Sequence, residues 1–230
     1  MRSPRSLRSP RSPRSVIIDI GAGLRDKYKD MLSRDTGLII HVIQPFISLP
    51  ISPRLHVHSN FVISDTNTKE CEVYVDQNGG YSLLPFNVSN VRRWKLPIFQ
   101  TKRPTVTNII RLPTKTLETF VNDIQLNGNI TLININVQGY ASTVLSGITT
   151  KRTWSVIKEI TIKVHVIDYD LYIGQTKLTD VMDTMLIHNF TVQSQSNKSQ
   201  NQETVICFRN QTATDSGWPF KQYGLGHFII

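Results

Sequence analysis

Runs of apolar residues alternate along the chain with segments whose polar positions recur at helical spacing. Residues 16–20 are apolar and β-branched with one Asp, a pattern typical of a strand buried on both faces. A glycine turn, a helix over 24–33 and a second buried strand over 38–43 follow. A strand, turn, helix and strand within about 30 residues predict a parallel βαβ unit with a right-handed crossover.

The remaining elements continue this alternation. Strands are predicted over 56–64, 72–75, 129–137, 159–169, 190–194 and 204–208, and helices over 117–124, 142–146 and 177–188. Strands that alternate with helices and end in a hairpin predict an α/β domain with a doubly wound, mostly parallel sheet and an antiparallel C-terminal edge. We expect one domain over residues 16–212, with a C-terminal extension over 213–230.

The N-terminal residues 1–15 contain almost nothing that could be buried. They repeat Arg, Ser and Pro and carry five arginines, so they supply five of the nine net positive charges. Such a segment cannot offset the entropy of ordering, and we predict a disordered tail. A tail of this charge could contact any polyanion without specificity, or serve only to solubilise the chain.

Composition narrows the class of protein further. Cys71 and Cys207 are the two cysteines of the chain, which favours a reducing compartment and a cytoplasmic location. No apolar run is long enough to span a membrane, and no apolar segment of a secretory signal follows the charged N-terminus. His56 and His58 would share a strand face, but no third ligand has a clear place, so no metal site is predicted.

Candidate ligand-binding residues stand where predicted strands end. Asp19 precedes Gly21, Ala22 and Gly23, and glycines at a strand-to-helix turn allow a ligand to approach the backbone. Gln44 ends the second strand, where a nucleoside-binding domain usually has an acid facing the ribose.

A third candidate group follows the strand predicted over 129–137. Asn136 and Gln138 are two residues apart on a segment expected to be extended, so both side chains should point to the same side. Open α/β sheets bind ligands at the carboxyl ends of their strands, so this segment and the turn after Asp19 are expected to border one crevice.

Six segments in this order and spacing resemble the FkbM family of S-adenosylmethionine-dependent methyltransferases. They are Asp19-Ile20-Gly21-Ala22; Ile43-Gln44-Pro45; Val62-Ile63-Ser64-Asp65 with Tyr81-Ser82-Leu83; Thr116-Leu117-Glu118; Ile135-Asn136-Val137-Gln138-Gly139 with Val144-Leu145-Ser146-Gly147; and Gly174-Gln175-Thr176 with Asn189-Phe190. The resemblance implies a class I methyltransferase-like, Rossmann-like fold. It also implies methyl transfer from S-adenosylmethionine to a hydroxyl on a sugar or another small or glycan acceptor.

The resemblance also implies residue roles. Asp19, Gly21, Ala22 and Gly23 would line the methionine end of the cofactor, Gln44 would face the ribose, and Asp65 would face the adenine. Asn136 and Gln138 would stand beside the transferred methyl group and the acceptor as the catalytic pair.

Three of these positions differ from the family pattern. Gln44, Asn136 and Gln138 are amides where the family has acids, and an amide keeps hydrogen bonding but cannot act as a general base. Two alternatives therefore stay open: a catalytically degenerate binding or structural module on the same scaffold, and a protein directed to nucleic acid by its basic tail.

Overall fold

The computed structural model describes residues 15–21, 26–46, 52–76, 80–91, 105–126, 129–166, 169–198 and 203–212. Three of the predictions lie outside these residues. They concern the tail up to residue 14, the pair Ala22 and Gly23, and the extension over 213–230.

The elements alternate between strands and helices along the chain. The strands are β1 Val16–Ile20, β2 Ile39–Ile43, β3 Leu55–His58, β4 Val62–Ser64, β5 Cys71–Asp76, β6 Tyr81–Ser82, β7 Val106–Leu112, β8 Thr114–Thr116, β9 Ile130–Ile135, β10 Ile157–His165, β11 Phe190–Lys198 and β12 Glu203–Asn210. The helices are α1 Asp26–Arg34, α2 Val88–Val91, α3 Leu117–Asp123, α4 Ala141–Ser146, α5 Lys151–Val156 and α6 Leu178–Ile187.

Seven strands form the main sheet in the order β11-β12-β10-β9-β1-β2-β3. The pairs among β3, β2, β1, β9 and β10 are all parallel, and β12 pairs antiparallel with both of its neighbours. These pairings confirm the predicted doubly wound, mostly parallel, Rossmann-like sheet. The one antiparallel strand, β12, lies between β10 and the outermost strand β11.

Helices cover both faces of this sheet, as the alternation of buried side chains in β1 requires. Ile18 and Ile20 pack into one core together with side chains of α3, α4 and α6. Ile17 points to the opposite face and packs into a second core with Tyr28 and Met31 of α1. A strand buried on both faces is therefore apolar at nearly every position, which explains the continuous apolar run of β1.

The strand predicted over 56–64 is wrong as a single element. Asn60 has a φ of 66°, a left-handed conformation that breaks the extended chain between β3 and β4. As a result β3 pairs with β2 in the main sheet, whereas β4 pairs with β8 in a separate two-stranded sheet. A third sheet has the order β6-β5-β7 and brings Tyr81 of β6 close to the end of β2.

Candidate functional site

A cavity of about 300 Å³ opens at the carboxyl ends of β1, β2 and β9. Its lining includes Gly21, Gln44, Asn136 and Gln138, together with Tyr81 from the small sheet. The chain leaves β1 toward β2 on one side and leaves β9 toward β10 on the other, so the cavity lies at the topological switch point of the sheet. The expectation that the turn after Asp19 and the end of β9 border one crevice agrees with this geometry.

Gly21 holds the ends of three strands together. Its backbone N–H donates to Ile43 O at 3.1 Å, and Asn136 N donates to Ile20 O at 3.0 Å. Gly21 has a φ of +79°, and a Cβ built on it would lie 2.0 Å from Asn136 O. Only glycine therefore fits this position without moving β1 and β9 apart.

Gln44 is 5% exposed and lines the cavity at the end of β2. Its backbone N–H donates to His58 O at 3.0 Å, which continues the β2–β3 pairing beyond the strand. The Tyr81 hydroxyl donates to Gln44 Oε1. Within the described part of the chain, the Gln44 Nε2 group has no hydrogen-bond partner, so the amide keeps two free donors beside the cavity.

The segment that carries Asn136 and Gln138 is a turn, and the predicted extended geometry is wrong. β9 ends at Ile135, Gln138 has a φ of +48° and Gly139 a φ of +83°. These left-handed residues turn the chain into α4, yet Asn136 and Gln138 both still line the cavity. The Tyr172 hydroxyl donates to Gln138 Oε1 at 3.0 Å and fixes that side chain.

The Asn136 side chain has a different environment. Its Oδ1 atom is buried and has no hydrogen-bond partner among the described residues. A buried acceptor without a partner destabilises the folded protein unless a donor reaches it. A ligand that donates to Asn136 Oδ1 would remove this cost.

Asp19 precedes the cavity-lining residues Ile20 and Gly21 in the sequence, but its carboxylate forms hydrogen bonds away from the cavity. The residue is 3% exposed and is absent from the cavity lining. Tyr28 Oη donates to Asp19 Oδ2 at 2.9 Å, and Asn134 Nδ2 donates to Asp19 Oδ1 at 2.8 Å. The carboxylate thus connects α1 and β9 to the end of β1.

Asp65 follows β4, whose residues Val62 and Ile63 line the cavity. Its side chain is exposed, accepts a hydrogen bond from Ser64 Oγ at 3.1 Å, and is not part of the lining. The structure therefore brings Gly21, Gln44 and the Asn136–Gln138 turn together, and leaves Asp65 outside that group.

The cavity is electrically neutral where the structure describes it. Its described lining contains amides, a tyrosine, a serine and apolar residues, and no carboxylate or basic side chain. Such a site can bind, orient and shield a ligand, but no described lining residue would take up a proton readily at neutral pH.

Sequence reasoning missed Tyr81, which lines the cavity, and Tyr172, which hydrogen-bonds the lining residue Gln138. Tyr81 lies within one of the segments compared with the FkbM pattern, which is the signal that could have drawn attention to it. Tyr172 follows β10 by seven residues and carries no local pattern that points to the cavity.

Three histidines form a stack on the edge of the main sheet. The ring of His41 stacks on His56 and His58, with centroids 4.9 and 5.3 Å apart, and His41 Nδ1 lies 3.0 Å from His58 Nε2. Among the described residues, no group of three or more His, Cys, Asp or Glu side chains is placed to hold a metal ion. The stack packs side chains of β2 against side chains of β3.

None of the helices within the described ranges has both the length and the hydrophobicity needed to cross a membrane.

In comparisons with known proteins, no protein-family profile matches the chain, and no curated protein matches it either. Among solved structures, a ribosomal RNA methyltransferase from Plasmodium falciparum is 13% identical with a TM-score of 0.44, over 88% of this chain and 90% of that chain. A precorrin-6y C5,15-methyltransferase from Geobacter metallireducens is 12% identical with a TM-score of 0.39, over 86% and 81%. A magnesium protoporphyrin IX methyltransferase from Synechocystis, solved with S-adenosylmethionine, is 11% identical with a TM-score of 0.36, over 86% and 71%.

Proposed function

We propose that this protein is an S-adenosylmethionine-dependent methyltransferase that binds the cofactor in the cavity at the ends of β1, β2 and β9. The observation that carries the proposal is the position of this cavity at the switch point of a sheet with the class I strand order. The free N–H donors of the nearly buried Gln44 and the buried, unpartnered Asn136 Oδ1 support the presence of a ligand there.

In this proposal the backbone at Gly21, continued by Ala22 and Gly23, passes the methionine part of the cofactor. Gln44 meets the ribose, and Asp65 remains the candidate for the adenine. Asn136 and Gln138 face the methyl group and the acceptor. S-adenosylmethionine supplies an activated methyl group when bound, so the protein has to align an acceptor oxygen with it and exclude water.

The acceptor we propose is a hydroxyl on a sugar or another small or glycan molecule, as in the FkbM family that the six ordered segments resemble. Because the described lining has no carboxylate, removal of the hydroxyl proton would depend on solvent or on the acceptor itself.

The neutral lining favours a second candidate function. A scaffold that keeps the cavity but has Gln44, Asn136 and Gln138 in place of acids would still bind a nucleoside and would have lost transfer. In that role the protein is a binding or structural module, and the basic tail over residues 1–15 would tether it to a polyanion such as RNA or DNA.

Cofactor binding is the first test of both candidates. Calorimetry and thermal unfolding with S-adenosylmethionine and S-adenosylhomocysteine should give saturable binding, and ligand at about 100 times its Kd should add about 2.7 kcal/mol of stability. For a domain of this size that is a rise in Tm of roughly 5–10 °C. No binding at millimolar ligand would refute the methyltransferase and the nucleoside-binding module, and would leave only the structural module.

Restored acids distinguish the two candidates. Asn136→Asp and Gln138→Glu would be compared with Gln193→Glu, which adds the same charge on the exposed strand β11. An active enzyme transfers labelled methyl groups to a panel of sugars and glycans before any substitution. A protein that binds cofactor, transfers no methyl group and gains neither affinity nor transfer from the restored acids is the binding module.

The tail has its own test. Removing residues 1–15 should weaken binding to a non-specific RNA or DNA duplex and reduce the dependence of the affinity on salt, because five arginines are lost. Unchanged affinity would remove the polyanion tether from the proposal.

A further inference from the structure

Two glutamines that line the cavity are each hydrogen-bonded by a tyrosine from a different part of the chain. Tyr81 donates to Gln44 Oε1 from 37 residues away in sequence, and Tyr172 donates to Gln138 Oε1 from 34 residues away. In both pairs the glutamine lines the cavity. Two amides of one site are thus held in the same way, each by a phenol bound to its carbonyl oxygen.

Both phenols keep their proton over the physiological pH range. Burial raises the pKa of Tyr81 and the nearby Asp19 carboxylate raises it further, and together they outweigh the hydrogen bond with Gln44, which lowers it. Burial raises the pKa of Tyr172 as well, with Asp76 and Glu203 adding to the effect. A protonated phenol can donate or accept a hydrogen bond, and in both pairs the structure places the amide oxygen, not the amide nitrogen, at the phenol.

The other end of each amide is then a donor. Across the described residues, neither Gln44 Nε2 nor Gln138 Nε2 has a hydrogen-bond partner. Only 5% of Gln44 is exposed, and the open space that it borders is the cavity. Unpartnered N–H groups in such a place lower the free energy of a complex when a ligand atom accepts from them.

We propose that Tyr81 and Tyr172 are positioning residues that fix Gln44 and Gln138 as hydrogen-bond donors, so that the cavity binds a nucleoside through acceptor atoms of the ligand. The inference rests on the proposed function, which places the ribose at Gln44. A carboxylate at position 44 would accept hydrogen bonds from the ribose hydroxyls. Gln44 held by Tyr81 donates to a ribose oxygen instead.

This difference has a direct consequence for ligand choice. A ribose methylated on its 2′ or 3′ oxygen keeps an acceptor and loses the hydroxyl proton. A donor amide tolerates that change, whereas a carboxylate is left without its partner. The cavity should therefore accept adenosine and at least one O-methylated adenosine with similar affinity.

Calorimetry with adenosine, 2′-O-methyladenosine and 3′-O-methyladenosine tests the inference. For the native protein we expect the Kd of the better methylated ligand to lie within about threefold of that of adenosine, and for Gln44→Glu we expect a loss of about tenfold or more. Tyr81→Phe frees the Gln44 amide to turn and should change the native ratio. Tyr74→Phe, which removes a hydroxyl that donates to Glu72 Oε2 at 3.0 Å, is the matched control and should leave the ratio unchanged.

Side-chain amide NMR reads the orientation without any ligand. Tyr81→Phe should shift the carbonyl carbon and N–H resonances of Gln44 and leave those of Gln138 in place, and Tyr172→Phe should do the reverse. Unshifted resonances would overturn the inference, as would a native protein that rejects both methylated ligands as strongly as Gln44→Glu does. A native protein that binds none of the three adenosines overturns the nucleoside part of the inference, whereas the titration with S-adenosylmethionine decides the proposed function separately; the NMR result then decides the orientation of the two amides.

Discussion

Replacing Gly21 by alanine should destabilise the protein more than the same replacement at any other described glycine with a positive φ. The left-handed backbone of Gly21, with a φ of +79°, costs an alanine about 1–2 kcal/mol. The new Cβ would also lie 2.0 Å from Asn136 O, and relief of that overlap must separate β1 from β9. Overpacking of a closed interior costs about 1–3 kcal/mol more.

The expected loss is therefore about 2–5 kcal/mol. This is a large part of the roughly 5–15 kcal/mol that stabilises a typical domain. Urea unfolding followed by circular dichroism measures it, and a thermal scan should show a fall in Tm of roughly 5–15 °C. Cofactor affinity should fall as well, because the strand ends that form the cavity move apart.

Gly174→Ala is the matched control. Gly174 has a φ of +78°, nearly the same strain, but no atom lies within 4 Å of its added Cβ. Its replacement should therefore cost only the backbone contribution of about 1–2 kcal/mol. Equal losses for the two variants would refute the argument that close approach of β1 and β9 requires a glycine at position 21.

Three further substitutions test local contacts. Glu118 accepts from Thr149 N, Thr149 Oγ1 and Thr150 N at 2.6, 2.8 and 2.9 Å; burial raises its pKa, but these hydrogen bonds lower it by more. Glu118→Gln should therefore lower the free energy of unfolding at neutral pH by about 1 kcal/mol after solvent screening. The native protein should lose this stability as the pH falls through the lowered pKa of Glu118, and the variant should not; urea titration measures both. Burial lowers the pKa of His41 to about 4, and the neighbouring His58 and His56 add to this effect. Because the unfolded chain then binds the proton at a higher pH than the folded protein, stability should fall as the pH drops from 6.5 toward 4. His41→Phe should flatten that part of the curve, and an unchanged slope would contradict the assignment. Tyr28→Phe removes a donor to the Asp19 carboxylate and should cost about 1–3 kcal/mol in the same assay; a neutral result would mean that another donor takes its place.

The strands of the main sheet were predictable because burial on both faces leaves a clear pattern in the sequence. β1, β2 and β9 are apolar at almost every position and were predicted within about two residues of their ends. β7 was missed because most of its residues are exposed in a small sheet, so no apolar pattern marks it. α5 has six residues and is preceded by the N-cap Thr150, whose side chain accepts from Thr153 N, and so short a helix gives little periodicity.

The candidate site was predictable only where it depends on strand ends. Gly21, Gln44 and Asn136 follow neighbouring parallel strands, and the carboxyl ends of such strands meet at one edge of the sheet. Tertiary packing of a small sheet brings Tyr81 to the cavity, and a loop brings Tyr172 to the lining residue Gln138, and local sequence specifies neither placement. The left-handed φ of Gln138 likewise depends on the turn into α4 and not on residue type alone.

The place of β12 in the main sheet has a consequence for how the protein can fail. Among the described residues β11 pairs in the main sheet only with β12, so loss of β12 would separate β11 from the sheet as well. Damage to residues 203–210 would then uncover the whole edge of β10, whose side chains are largely buried. A bare edge of that kind recruits strands from other molecules, so self-association would be an early sign of a shortened or locally unfolded chain.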